Sequence, residues 1–155
     1  MCLSVFLVVR SPETPAKVLL GKIDPSADWW ELAALGPDRV ARLTDFWMLP
    51  ASQLLLLESP DDAARRVARE QLGWELEAFP PARVFSQTSA RAPGDGKDPH
   101  WDVMIVYEVS WPPGRPLRPR PWRELDFLPV SETSRSGFGR GHGDVLELAR
   151  VPPRD

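Results

Sequence analysis

Cysteine occurs once in the 155 residues, at Cys2. A lone cysteine excludes an internal disulfide and a multi-cysteine zinc site, and it fits a reducing compartment. Histidine occurs only at His100 and His142, far from ligand spacing, which argues against a zinc centre. Lysine is almost as scarce, with Lys17, Lys22 and Lys97 the only three among 19 basic residues. At a net charge of −3 the chain predicts no general affinity for nucleic acid or for acidic membranes. No hydrophobic run approaches the roughly 20 residues that cross a bilayer. The apolar opening MCLSVFLVV lacks a basic leader and a small-residue cleavage site and is closed by Arg10, so it reads as a buried strand rather than a signal peptide. Together these absences point to the cytoplasm.

What is present is the balance of a folded protein, 43% hydrophobic and 26% charged. The length predicts one domain over residues 1–155. Leu3 to Arg10 reads as a strand buried on both faces. Across the turn SPETP, KVLLGKI (17–23) reads as a second strand, giving a hairpin. Residues 24–48 suggest a loop with one or two helical turns, and Leu54 to Leu57 form a short apolar run. ARVFSQTSA (82–90) alternates as a strand. WDVMIVYEVSW (101–111) is the clearest strand, with Val103, Ile105, Tyr107 and Val109 on one face. The proline-rich PPGRPLRPRPW (112–122) cannot be a helix or a central strand. ELDFLPV suggests another strand, SETSRSGFGRGHG a flexible loop, and DVLELAR (144–150) a terminal helix. The alternation of strands and helices predicts an α/β sandwich with a mixed sheet.

The helix in ESPDDAARRVAREQLGW (58–74) is the best-defined element. Ser59 suits the N-cap, Pro60 the first helical position, and Gly73 the left-handed C′ position. Asp61 and Asp62 suit the positive end of the helix dipole, and Asp62 stands as a weak capping-box partner. Ala63, Ala64, Val67, Ala68 and Leu72 form an apolar side with Gln71 in its middle and Glu70 on its shoulder. A buried amide left unpaired costs about 1–3 kcal/mol, so Gln71 needs a partner. The plainest reading gives Gln71 a hydrogen bond to a neighbouring loop and pairs Glu70 with Arg66 on the surface.

This stretch also resembles the Nudix superfamily signature, G-x5-E-x7-R-E-U-x-E-E-x-G-U, where U is aliphatic or aromatic. Glu58, Arg66, Ala68, Glu70, Gly73 and Trp74 match it, and FWMLPAS resembles the W-x-L-P-G-G lead-in. Ser52 replaces the opening glycine, Val67 the acid after the arginine, and Gln71 the second paired acid. The resemblance implies a Nudix-type α/β/α sandwich with a mixed β-sheet, and hydrolysis of nucleoside diphosphates linked to another moiety. It also implies Mg²⁺ or Mn²⁺, held through Glu58, Glu70 and Gln71, with Glu70 and Arg66 in the catalytic machinery and Ser52 at the ligand. The two lost acids imply a weakly held metal, if any, and weakened or lost hydrolysis, since general-base help alone is typically worth about 10²–10⁴ in rate. The remaining partner is a nucleotide or phosphorylated small molecule. Replacement acids would have to come from Asp95, Asp98, Asp102, Glu108, Glu124 or Asp126.

Other features carry two readings each. In HWD (100–102), Trp101 is a candidate to stack on a base and His100 or Asp102 to touch ribose or metal; the alternative is a strand-start aromatic with exposed neighbours. Trp29, Trp30 and Trp47 suit either a base pocket or packing against the sheet. The arginines of RPLRPRPWR (115–123) suit an anion or RNA contact, a proline-rich peptide for a partner, or neither. Three functions follow: a nucleotide binder without turnover, an active pyrophosphohydrolase drawing metal ligands from loops, and a protein-interaction module, with a homodimer compatible with each.

Overall fold

The structure is a computed structural model describing residues 2–28, 36–89, 100–118, 121–130, 137–138 and 142–150. In chain order the elements are β1 (Cys2–Arg10), β2 (Lys17–Ile23), α1 (Pro37–Leu43), β3 (Ala51–Gln53), α2 (Pro60–Leu72), β4 (Arg83–Ser89), β5 (His100–Ser110), β6 (Trp122–Pro129) and α3 (His142–Arg150).

Strand β1 organises the sheet. On one side it runs parallel to β5 from Cys2↔Asp102 to Arg10↔Ser110. Its other side is divided: Ser4, Val5 and Phe6 pair antiparallel with Gln53, Ser52 and Ala51, while Arg10 pairs with Val18 of β2. The expected hairpin is therefore present but narrow, because β2 turns away to pair with β6. The resulting order is β4-β5-β1-β2-β6, with β3 against β1.

Alternation along β1 and β5 decides what each face packs against. Val5, Leu7, Val9, Ile105, Tyr107 and Val109 meet Ala63, Ala64, Val67, Ala68 and Leu72 of α2. Phe6, Val8, Met104 and Val106 meet Val145, Leu146 and Ala149 of α3. The sheet is thus covered on both faces, in the α/β/α arrangement the sequence predicts. A smaller cluster of Ile23, Val40, Met48 and Trp122 closes one side of β2. Gly21 is required there: a Cβ would lie 2.4 Å from the Trp122 ring.

Several expectations change. A strand not expected from the sequence, Ala51–Gln53, lies just before the apolar run Leu54–Leu57. Leu54 packs at the core rim, but Leu56 and Leu57 are 93% and 98% exposed, and Leu57 has φ 66°, in the left-handed region. His142 does not belong to a flexible loop: it opens α3 and is buried. Trp122 is the first residue of β6 and a core residue. The single helix of the 24–48 stretch, among the described residues, is α1. Trp29 and Trp30 lie outside the described residues.

Candidate functional site

The cap chemistry of α2 is as the sequence predicts. Ser59 Oγ accepts from Asp62 N (3.1 Å) and donates to Asp62 Oδ2 (2.7 Å). Gly73 ends the helix with φ 59°, its N–H returning to Arg69 O. The helix is further fixed by Tyr107, which donates to Asp61; burial first, and then this bond, raise the phenol's pKa. At the other end Arg115 donates to Gly73 O, and Trp111 Nε1 donates to Arg115 O at 2.9 Å. The proline-rich connection is thereby anchored to α2. Of its arginines, Arg115 is taken up in that cap and Arg123 pairs with Asp45 at 3.0 Å.

Arg66 is the hub of the site. Its Nε and Nη2 donate to the two oxygens of Glu58 at 2.7 and 2.8 Å, a bidentate pair. The remaining donors reach Ser52 Oγ (3.2 Å) and Gln53 O (3.0 Å). Glu58 Oε2 also accepts from Leu55 N at 3.0 Å. The side chains are 8% and 12% exposed, so the pair is shielded from water. The Arg66 hydrogen bonds hold the Glu58 carboxyl below its usual range, and Glu58 in turn raises the pKa of Arg66. Arg66 therefore pairs chiefly with Glu58, inside the protein. Its contact with Glu70 is a looser 3.9 Å.

Gln71, 3% exposed, has the partner its burial demands. Its Oε1 accepts from Ala51 N at 3.1 Å and its Nε2 donates to Ala51 O at 2.8 Å. The backbone explains why. Successive peptide groups of a strand point to opposite sides, and Leu7 N donates to Pro50 O, so the polar groups of Ala51 face away from β1. Among the described residues, side chains take up the groups on that outward edge. His142 Nδ1 accepts from Leu49 N at 3.0 Å, Gln71 takes both groups of Ala51, and Arg66 takes Gln53 O. Trp122 Nε1 in turn donates to Gln71 O at 2.9 Å. His142 and Trp122 were not singled out by sequence reasoning as part of this site, because their contacts span 93 and 51 residues.

Ser52, Glu58, Arg66, Glu70 and Gln71 thus gather along one edge of β3. Trp101 and Asp102 do not join them. They are consecutive on β5, so their side chains lie on opposite faces of the sheet. Trp101 is on the α2 face, half-exposed, with Nε1 donating to Ser86 Oγ at 2.5 Å. Ser52 is level with Val5 and so with Ile105, which places Trp101 about 13 Å further along the strands. Among the proposed replacement acids, Glu108 pairs with Arg10 (2.8 Å) and Glu124 with Lys22 (3.3 Å). Asp126 accepts from Phe127 N at 2.7 Å. Asp95 and Asp98 lie outside the described residues, as does the side chain of His100.

The architecture has close counterparts among solved structures. The dihydroneopterin triphosphate pyrophosphohydrolase of E. coli aligns over 94% of this chain and 92% of its own, with TM-score 0.62 and 14% identity. The NUDIX domain of Shewanella oneidensis NrtR, complexed with ADP ribose, aligns over 97% and 86%, with TM-score 0.62 and 17% identity. The MutT protein of Bacillus halodurans aligns over 97% and 84%, with TM-score 0.63 and 13% identity. The chain has the Nudix fold. No protein-family model and no curated protein matches it by sequence, so the likeness is one of architecture.

The Nudix resemblance implies a divalent cation on α2, and the donors present do not fit one. Val67 is fully buried in the core. Both oxygens of Glu58 are occupied by Arg66, and the amide of Gln71 is occupied at both ends by Ala51. Glu70, with only the 3.9 Å contact to Arg66 among the described residues, is a single carboxylate. No group of three acidic, histidine or cysteine side chains suited to a metal occurs among the described residues. A hard cation such as Mg²⁺ can rest on one or two carboxylates when substrate phosphates and water complete its shell. Alone, this edge offers it too little anionic oxygen.

Proposed function

We propose that the chain is a Nudix-fold domain that binds a nucleotide-like phosphate ligand and has weakened or lost hydrolysis. The observation that carries this reading is the double hydrogen bond between Gln71 and Ala51, which commits the second paired-acid position to holding the backbone. Val67, in the core, commits the other. Arg66 is a positioning residue in this reading, fixing the Ser52–Glu58 loop through Glu58, and Glu70 is the acid left to meet a ligand, with Mg²⁺ or Mn²⁺ arriving on the phosphates. The ligand class is supported by the NrtR domain, which has the same fold and is complexed with ADP ribose. Arg115 and Arg123 of the Pro/Arg-rich segment are internally paired, and this reading gives those two no ligand role. No described helix is long and apolar enough to cross a membrane, and a cytoplasmic location is part of the proposal.

Two alternatives each have an observation behind them. The fold is shared with the E. coli pyrophosphohydrolase, and Glu70 retains a carboxylate beside the loop, which favours an active enzyme with ligands from elsewhere. The exposed Leu55, Leu56 and Leu57 favour an interaction module, as a homodimer or with another protein.

The deciding experiment measures thermal shift and turnover on a nucleotide panel including ADP ribose, with Mg²⁺ and Mn²⁺, for wild type and Glu70→Gln. The expected result is a stabilising shift with at least one diphosphate and little or no turnover. Robust wild-type turnover that disappears in Glu70→Gln establishes the enzyme. No shift with any nucleotide favours the interaction module.

A further inference from the structure

We infer that the Gln71 amide takes the place of a cation, joining α2 to the outer edge of β3 where a carboxylate at the same position would require a divalent ion. The inference deepens the reading of Gln71 above but holds whether or not a nucleotide binds.

Gln71 offers Ala51 one acceptor and one donor, at 3.1 and 2.8 Å. A carboxylate in its place keeps the first bond, because either of its oxygens accepts from the Ala51 N–H. It reverses the second: an anionic oxygen then faces a carbonyl oxygen at hydrogen-bond distance, with no proton between them. The site is buried, so water does not relieve the repulsion, and an uncompensated charge is costly there.

Protonating the carboxyl would restore the second bond but is costly at neutral pH, so under those conditions a positive centre shared by the two oxygens is what removes the conflict. A hard divalent cation suits it, since carboxylate and backbone carbonyl oxygens are its ordinary ligands. Glu70, the preceding residue on the helix, is half-buried beside Arg66 and adds anionic oxygen to the same region. In the native chain the amide N–H supplies the positive end of a dipole instead, at no net charge. The neighbouring closures are likewise self-sufficient: Arg66 is neutralised by Glu58, and His142 Nδ1 serves Leu49 as an unprotonated acceptor. The α2–β3 contact is accordingly complete without metal, and one change, Gln71→Glu, makes it metal-dependent.

The test compares melting temperatures of wild type, Gln71→Glu and Gln71→Leu at neutral pH in chelator, in millimolar Mg²⁺ or Mn²⁺, and in NaCl of matched ionic strength. Wild type and Gln71→Leu are expected to melt at the same temperature with and without metal. Gln71→Glu is expected to melt well below wild type in chelator and to recover most of the loss in Mg²⁺ or Mn²⁺, but not in NaCl. If Gln71→Glu does not fold in chelator, refolding from denaturant with and without Mg²⁺ gives the same readout. The inference is overturned if Gln71→Glu is as stable as wild type in chelator, if metal fails to rescue it while Gln71→Leu folds, or if Mg²⁺ stabilises unliganded wild type by several degrees. Because the readout is a cation-dependent melt of a variant, a failure here is separate from a failure of wild type to bind nucleotides.

Discussion

Gln71 and Ala51 are 20 residues apart in sequence and exchange two hydrogen bonds in the fold, with the side-chain amide of one completing the strand edge of the other. This relationship turns a position that the Nudix signature gives to an acid into a structural clasp. Its neighbours Arg66 and His142 close the same edge at Gln53 and Leu49. Segment 49–53 is therefore held from both faces of the sheet, by side chains of α2 and α3. Such a segment has little freedom to admit a ligand-driven rearrangement of its backbone.

The Arg66–Glu58 pair sets the acid stability of this region. Glu58→Gln removes the bidentate counter-charge of a buried guanidinium, leaving it only the looser contact with Glu70, and is expected to cost about 3 kcal/mol. The folded-state pKa of Glu58 lies below the usual 4.5 because Arg66 stabilises the carboxylate. The unfolded chain consequently takes up this proton first as pH falls. The pair's contribution is complete above the unfolded value and is lost as pH drops through the folded one. Denaturant melts of wild type and Glu58→Gln should therefore differ at pH 7 and draw together as pH falls below the usual 4.5; a gap that stays constant through that fall contradicts the assignment.

Val67 marks the other lost acid. It is fully buried in the core that α2 shares with the sheet, and Val67→Glu places a carboxylate in that apolar cluster. A cost on the order of 4 kcal/mol or more is expected, enough to unfold a marginal domain. Circular-dichroism melts check this. A Val67→Glu protein as stable as wild type would show that the helix rotates readily to expose the position.

The fold was legible in the sequence where burial is two-sided or periodic. The Val- and Leu-rich run of β1 and the alternation of β5 dictated which residues face α2, and Ser59, Pro60 and Gly73 marked the ends of that helix. Strand β3 was not legible: three residues give no period, and the adjacent leucines imitate a buried run while lying on an exposed turn. For the site, the apolar stripe around Gln71 showed that its amide needed a partner, and a hydrogen bond to a neighbouring segment was the plain expectation. The identity of that partner depends on which edge of β3 is open, which is a property of the sheet. Trp101 and Asp102 illustrate the converse: adjacency in sequence suggested one site, and strand alternation separates them.

Leu57 carries a local strain that its exposure does not offset. A non-glycine residue with positive φ costs about 1–2 kcal/mol, and this side chain buries almost nothing. Leu57→Gly is expected to raise the melting temperature or leave it unchanged, despite the flexibility glycine adds to the unfolded chain. A clear loss of stability would mean that Leu57 makes contacts in solution, as in a homodimer, and sedimentation of both proteins would reveal it.

Anionic oxygen is scarce along the α2–β3 edge, and calorimetric titration of Mg²⁺ into the unliganded protein tests that scarcity most directly. The predicted result is no saturable heat at micromolar metal, for wild type and Glu70→Gln alike. A single site of micromolar affinity in wild type that vanishes in Glu70→Gln would contradict it.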